Sequence, residues 1–188
     1  MRKNSKMESF AKFTSQSLKH FITTGAFLPS STYLARRMTN DLKGKVIVEL
    51  GPGTGVFTKE ILKKLPEDGL LISIEKNPAF ADYLKKHITD KRFVLYIGDA
   101  CNISLYLDEN GYKKADCVVS GLPLGHFSSD TCNKILMEAR RCLQKDGIFI
   151  QFEYFLAGIR SVKKVFPKIS ISFEPFNLPP AFVMKCRV

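Results

Sequence analysis

The residues best suited to chemistry begin with Glu49-Leu50-Gly51-Pro52-Gly53-Thr54-Gly55, a glycine-rich turn between the apolar run Val46-Ile47-Val48 and a stretch of helical apolar spacing. Glycines there let the backbone approach a ligand that a Cβ would hold off, and the helix start offers free N–H groups. Glu75, 20 residues beyond Gly55, closes a second apolar run. A carboxylate at that position can accept both hydroxyls of a ribose. Asp99 closes a third run and is placed to meet an adenine edge. Taken singly, each feature has a plain explanation: a tight turn, or an acid at a solvated strand end. In this order and spacing they converge on one crevice suited to a nucleoside-type ligand.

Such a crevice needs a scaffold, and the apolar periodicity supplies one. Short apolar runs predict strands at 46–50, 70–74, 93–97, 115–119 and 147–152, alternating with helices at 56–65, 78–88, 103–109 and 131–143. Pro66 closes the first of these helices and Pro78 opens the second. Alternation at this spacing means βαβ units, hence an α/β fold with a mainly parallel sheet and helices on both faces. Residues 170–173 and 182–187 also read as strands with only a loop between them, which predicts a C-terminal antiparallel hairpin and seven strands in all. Upstream, Gly25-Ala26-Phe27-Leu28-Pro29-Ser30-Ser31 is rich in breakers. Pro29 is expected to end helical pairing and Ser30 or Ser31 to cap a short helix at 32–39. The division expected is a helical extension at 1–40 and a main domain at 41–188.

The chain has 188 residues and a formal charge of +11, enough for one core and too little for two. With 45% hydrophobic and 25% charged residues it is a folding composition. No uncharged run approaches bilayer length and the polar N-terminus lacks a signal-peptide core, so a cytoplasmic protein is expected. The five cysteines show no Cys-x-x-Cys pair and no histidine at ligand spacing, so they read as reduced packing residues with no metal. The charge is densest at Arg2, Lys3, Lys6, Lys12 and Lys19, interleaved with Phe10, Phe13, Leu18, Phe21 and Ile22. That pattern describes a basic amphipathic helix over residues 1–22. It could lie on anionic lipid, pack its phenylalanines on the domain, or meet nucleic acid.

The Glu-x-Gly-x-Gly-x-Gly loop, the acid after the second strand and the Asp after the third resemble the first three motifs of class I S-adenosylmethionine-dependent methyltransferases. The terminal hairpin resembles their seventh-strand signature. A dinucleotide dehydrogenase fits less well, because the loop is not Gly-x-Gly-x-x-Gly and there is no second catalytic domain. The resemblance implies a Rossmann-like fold with S-adenosylmethionine as cofactor and S-adenosylhomocysteine as product. It sets Gly51, Pro52, Gly53, Thr54 and Gly55 against the methionine part, Glu49 near its ammonium, Glu75 with Lys76 at the ribose, and Asp99 with Ala100 at the adenine. Ser31, Ser120, Gly121 and Leu122 complete the expected set.

Acceptor class is read at the fourth strand. The ribosomal RNA adenine dimethyltransferases carry Asn-Leu-Pro-Tyr there, whereas this chain has Ser120-Gly121-Leu122-Pro123-Leu124, without the amide or the aromatic face. A closer resemblance is to the bacterial soluble phospholipid N-methyltransferases. It rests on Pro29-Ser30-Ser31 with Leu34-Ala35 and Met38, the glycine loop through Thr58, Gly98-Asp99-Ala100, Ser120 to Leu124, Gln151-Phe152 with Tyr154, and Asn177-Leu178-Pro179-Pro180. This group resembles the present chain also in a basic N-terminal helix for anionic lipid. The resemblance implies methylation of phosphatidylethanolamine by a monomer at the inner face of the cytoplasmic membrane. Gly125-His126 and Asp146-Gly147 depart from that pattern, so an ornithine lipid or other lipid amine fits the same scaffold. An RNA methyltransferase and a cofactor-binding module without turnover are the rival readings. Methylating an amine requires removal of its proton, and Tyr33, His126 and Tyr154 are the expected candidates beside the crevice.

Overall fold

The computed structural model describes residues 29–154 and 159–188, with side chains from Thr32 onward. The expected helix at 1–22 and the side chain of Ser31 lie outside the described residues.

The chain opens with α1 (Pro29–Thr39) and continues through β1 (Val46–Leu50), α2 (Val56–Lys64), β2 (Leu70–Glu75), α3 (Pro78–His87) and β3 (Phe93–Ile97). A 3-10 turn, Ala100–Asn102, leads into α4 (Ile103–Glu109), followed by β4 (Ala115–Ser120), a second 3-10 turn (Leu124–His126), α5 (Ser129–Cys142) and β5 (Leu143–Glu153). After α6 (Ile159–Val165) come β6 (Lys168–Glu174) and β7 (Ala181–Arg187). The seven strands form one sheet in the order β3-β2-β1-β4-β5-β7-β6. Pairings among β1 to β5 are parallel, whereas β7 runs antiparallel to both β5 and β6.

Local signals explain the elements. Asn77 caps α3 by accepting from the Ala79 N–H at 3.0 Å, with Pro78 in the first turn. Ser128 caps α5 through the Thr131 N–H at 3.2 Å. Alternate strand residues feed two cores. Val48, Leu50, Ile72, Val118 and Phe149 pack toward α4, α5 and α6, while Ile47, Leu71, Val119 and Ile150 pack with Leu34 and Met38 of α1 and Ile61 of α2. Each fully buried Leu, Ile or Phe contributes about 1.5–3 kcal/mol, enough to decide strand register.

Several details depart from expectation. Pro29, Ser30 and Ser31 all lie within α1, Pro29 being its first described residue, instead of preceding and capping a helix at 32–39. α5 stops at Cys142, and Leu143 is already extended and paired with Ala115, because its side chain is buried in the core. β5 therefore starts four residues earlier than the expected 147. α6 was not expected; it buries Val162 and Val165 and turns Lys163 and Lys164 outward.

Candidate active site

The strand order reverses between β1 and β4, and the residues leaving their carboxyl ends meet there. Gly51 donates its N–H to the Ile74 carbonyl at 2.9 Å and Gly121 donates to the Leu50 carbonyl at 2.8 Å. A Cβ on Gly51 would stand 2.7 Å from Leu122 Cδ2, and one on Gly121 would stand 2.8 Å from the Gly51 carbonyl oxygen. The two loops are thus in contact, which only glycine at both positions permits. Gly53, at φ +56°, faces open space where a Cβ would otherwise project. Thr54 is half-buried in the same turn, which the Gly55 N–H closes on the Pro52 carbonyl at 2.9 Å.

Glu75 is buried at the end of β2 and accepts from the N–H groups of Gly53 at 3.1 Å and Asn77 at 2.8 Å. Burial raises its carboxyl above the usual range despite those donors. Glu49 lies one strand away and is fully buried, its carboxylate accepting from Ser73 Oγ at 2.5 Å and Thr58 Oγ1 at 2.8 Å. Burial pushes it up to about 7, with both hydroxyls opposing. Asp99 caps the first 3-10 turn through the Cys101 N–H at 2.9 Å, and Lys76 Nζ reaches it at 2.9 Å. Its partial burial is outweighed by these donors, so its carboxyl is lowered. Ala100 is buried just beyond it.

The fourth strand behaves differently from an RNA-type site. Ser120 is fully buried and accepts from the Leu122 N–H at 3.3 Å. Leu124 is 2% exposed and belongs to the core, so it offers no face on which a base could stack.

The three expected proton acceptors do not share one position. Tyr33 of α1 is half-exposed with its ring 5.8 Å from that of Phe176. Tyr154 packs edge-on to Phe152 at 5.4 Å, and burial raises its hydroxyl while Asn177 opposes. Both therefore border the β6–β7 loop. His126 is exposed at the end of the second 3-10 turn.

Sequence reasoning missed Glu153. It is buried at the carboxyl end of β5, where burial pushes its carboxyl up to about 7 against the backbone N–H groups of Gly125 and Leu124. The signal was present: it is an acid ending an apolar strand, like Glu75. Ser73 and Thr58 were also missed, although Ser73 is a polar residue inside the otherwise apolar β2.

A glycine cradle with an open face, a buried carboxylate at the second strand end and a capping Asp after the third fit S-adenosylmethionine. The fold and this site define a Rossmann-like class I methyltransferase. Residues 47–147 match the methyltransferase domain family model, and the chain belongs to that family. It is 32% identical over 186 residues to the ornithine lipid N-methyltransferase of Singulisphaera acidiphila, covering 96% of this chain and 97% of that protein. Ribosomal RNA small subunit methyltransferase A of Mycoplasmopsis synoviae is 33% identical over 95 residues, half of this chain and 34% of that one. Among solved structures, the 1,6-didemethyltoxoflavin-N1-methyltransferase of Burkholderia thailandensis with S-adenosylhomocysteine superposes with TM-score 0.73 at 13% identity, over 100% of this chain and 90% of that one. The O-methyltransferase TomG of Streptomyces achromogenes, in complex with S-adenosylmethionine, gives 0.66 at 15% identity over 93% and 89%. The protein is an S-adenosylmethionine-dependent methyltransferase.

Bound in this cradle, S-adenosylmethionine supplies an electrophilic methyl group. There Glu75 would face its ribose, Asp99 its adenine end and the backbone of residues 51–55 its methionine end.

Proposed function

We propose that the protein N-methylates the amine of a membrane lipid, with ornithine lipid as the first candidate and phosphatidylethanolamine as the second. The observation carrying this reading is the match to ornithine lipid N-methyltransferase along almost the whole of both chains.

The rim of the site supports it. Pairing of Glu153 with Phe182 and of Glu174 with Ala181 puts the β6–β7 loop at the glycine-loop end of the sheet. Phe176 and Leu178 on that loop are 69% and 70% exposed, and Tyr33 beside them is 50% exposed. The loop is held from below: Arg37 Nε donates to Glu174 at 2.6 Å, Glu174 accepts from the Phe176 N–H at 3.0 Å, and Asn177 Nδ2 donates to the Pro179 carbonyl at 2.7 Å. Apolar side chains on a fastened loop beside the site mouth suit insertion among lipid headgroups, and the basic segment 1–22 adds attraction to anionic lipid. A peripheral position on the membrane follows; among the described residues no helix is long and apolar enough to cross one.

The RNA reading fares worse. The basic groove lined by Lys113, Lys114, Lys134, Arg140, Arg141 and Lys145 opens at the amino ends of β4 and β5 and reaches Cys101 beside Asp99, but no residue of the glycine loop lines it. Two of its cations are also committed, Lys113 to Asp108 and Arg141 to Glu138.

The test is transfer of labelled methyl from S-adenosylmethionine to vesicles of anionic lipid doped separately with ornithine lipid and with phosphatidylethanolamine. Label in mono- or dimethylated lipid is the expected result. Label only in RNA, or none with cofactor binding intact, would refute the lipid reading.

A further inference from the structure

We infer that Glu153, set by Gln151 and the 122–125 turn, forms the ammonium-binding subsite of the acceptor and takes the proton that the amine must lose. The inference rests on the lipid-amine reading only for the identity of what carries the amine.

Three observations converge. First, Glu153 is joined to the cofactor cradle by a short chain of contacts: Leu122 lies against Gly51, Gln151 Nε2 donates to the Leu122 carbonyl at 2.8 Å, and the same amide nitrogen lies 3.5 Å from Glu153 Oε1. Second, the neighbours of Gln151 Nε2 are all acceptors, the Phe152 carbonyl at 2.6 Å included, which fixes the amide's orientation. Its Oε1 is consequently a buried acceptor with no partner, the sole such side-chain atom among the described residues. Third, Glu153 forms no ion pair with any described lysine or arginine although it is 8% exposed. A buried carboxylate without a cation and a buried carbonyl without a donor, two residues apart on one face of β5, are what an incoming ammonium would satisfy.

The chemistry balances. An N–H bond of the bound ammonium breaks, its electron pair stays on nitrogen and the proton passes to the Glu153 carboxylate. The freed lone pair then forms the N–C bond to the methyl as the C–S bond breaks, with its electrons remaining on the sulfur of S-adenosylhomocysteine. Burial makes Glu153 a stronger base than a solvated carboxylate. Among the described residues the titratable groups near it in the fold are Cys132 of α5, whose thiol is raised by burial and by Glu153 itself, His126 on the turn beyond Gly125, and Tyr154 just past the strand end. β7 places Phe182, which does not titrate, opposite.

The experiment compares wild type, Glu153→Gln and Glu153→Asp by two readouts. One is calorimetric binding of octylammonium to protein loaded with S-adenosylhomocysteine; the other is the pH dependence of lipid methylation. Expected are an acid limb near pH 7 in wild type that is absent in E153Q, a loss of kcat/KM of about 100-fold or more, partial recovery in E153D, and cofactor affinity within about twofold of wild type. Octylammonium should bind wild type and fail to bind E153Q. Equal amine binding by the two, no amine binding by wild type, or an unchanged pH profile in E153Q would overturn the proposal. Glu153-dependent amine binding without lipid methylation would leave the subsite standing and overturn the lipid reading instead.

Discussion

Gly53 and Gly111 make a matched pair for testing the cofactor cradle. Both have positive φ, +56° and +80°, and at neither would a Cβ meet any atom within 4 Å. Alanine at either position should therefore cost only the left-handed strain, roughly 1–2 kcal/mol, partly offset by about 0.4–1 kcal/mol from the stiffer unfolded chain. The net, about 1 kcal/mol, corresponds to a Tm drop of about 2–4 °C for a chain of this size. The two positions differ in what lies outside. Gly53 donates its N–H to Glu75 at 3.1 Å within the cradle, whereas Gly111 sits in the turn after α4 at the far end of the sheet. A methyl group on Gly53 should occupy ligand space and weaken S-adenosylhomocysteine binding at least about tenfold, equivalent to about 1.4 kcal/mol. Gly111→Ala should bind like wild type. Calorimetric titration with S-adenosylhomocysteine, alongside thermal denaturation, separates the two effects. Wild-type affinity in Gly53→Ala, or equal losses in both variants, would refute the assignment of residues 51–55 to the cofactor.

Two further perturbations test other parts of the structure. Glu49 has its folded pKa raised by burial to about 7, above its unfolded value, so the stability it contributes is full below about pH 4 and lost as pH rises through 7. Glu49→Gln should flatten the stability profile between pH 5 and 8 by about 3 kcal/mol in urea denaturation, and an unchanged profile would contradict the burial argument. Replacing Phe176 and Leu178 together by serine should cut vesicle co-sedimentation several-fold while leaving Tm and cofactor affinity unaltered, because both side chains are mostly exposed. Retained vesicle binding would remove the loop from the membrane contact.

Much of the architecture was legible because burial on both faces writes parallel strands as continuous apolar runs. Val46 to Leu50 and Leu70 to Glu75 needed nothing beyond composition and the turns that follow them. The glycine loop, Glu75 and Asp99 were legible for a related reason, since each sits where an apolar run stops. Local patterning failed where tertiary burial overrode it. Leu143 looks like the last turn of a helix but is drawn into a strand by its place in the core, and the seven-residue α6 is too short to show a period.

The sequence by itself determined the order of the seven strands and of the helices between β1 and β5, the glycine turn and the acids that end β2 and follow β3, because spacing and side-chain type suffice for those. Only the tertiary structure decided which buried acids lack a cation among the described residues and which apolar groups stay uncovered. Glu153 and Gln151 look like ordinary strand residues until the fold buries them, leaving Glu153 with the N–H groups of the 124–125 turn but no cation among the described residues, and Gln151 Oε1 with no donor. Leu124, a plausible site residue by position, becomes core, whereas Phe176 and Leu178, ordinary core residues by type, are held at the rim by Arg37, Glu174 and Asn177. The physical reason is that burial and pairing depend on contacts between distant parts of the chain, which no local pattern contains.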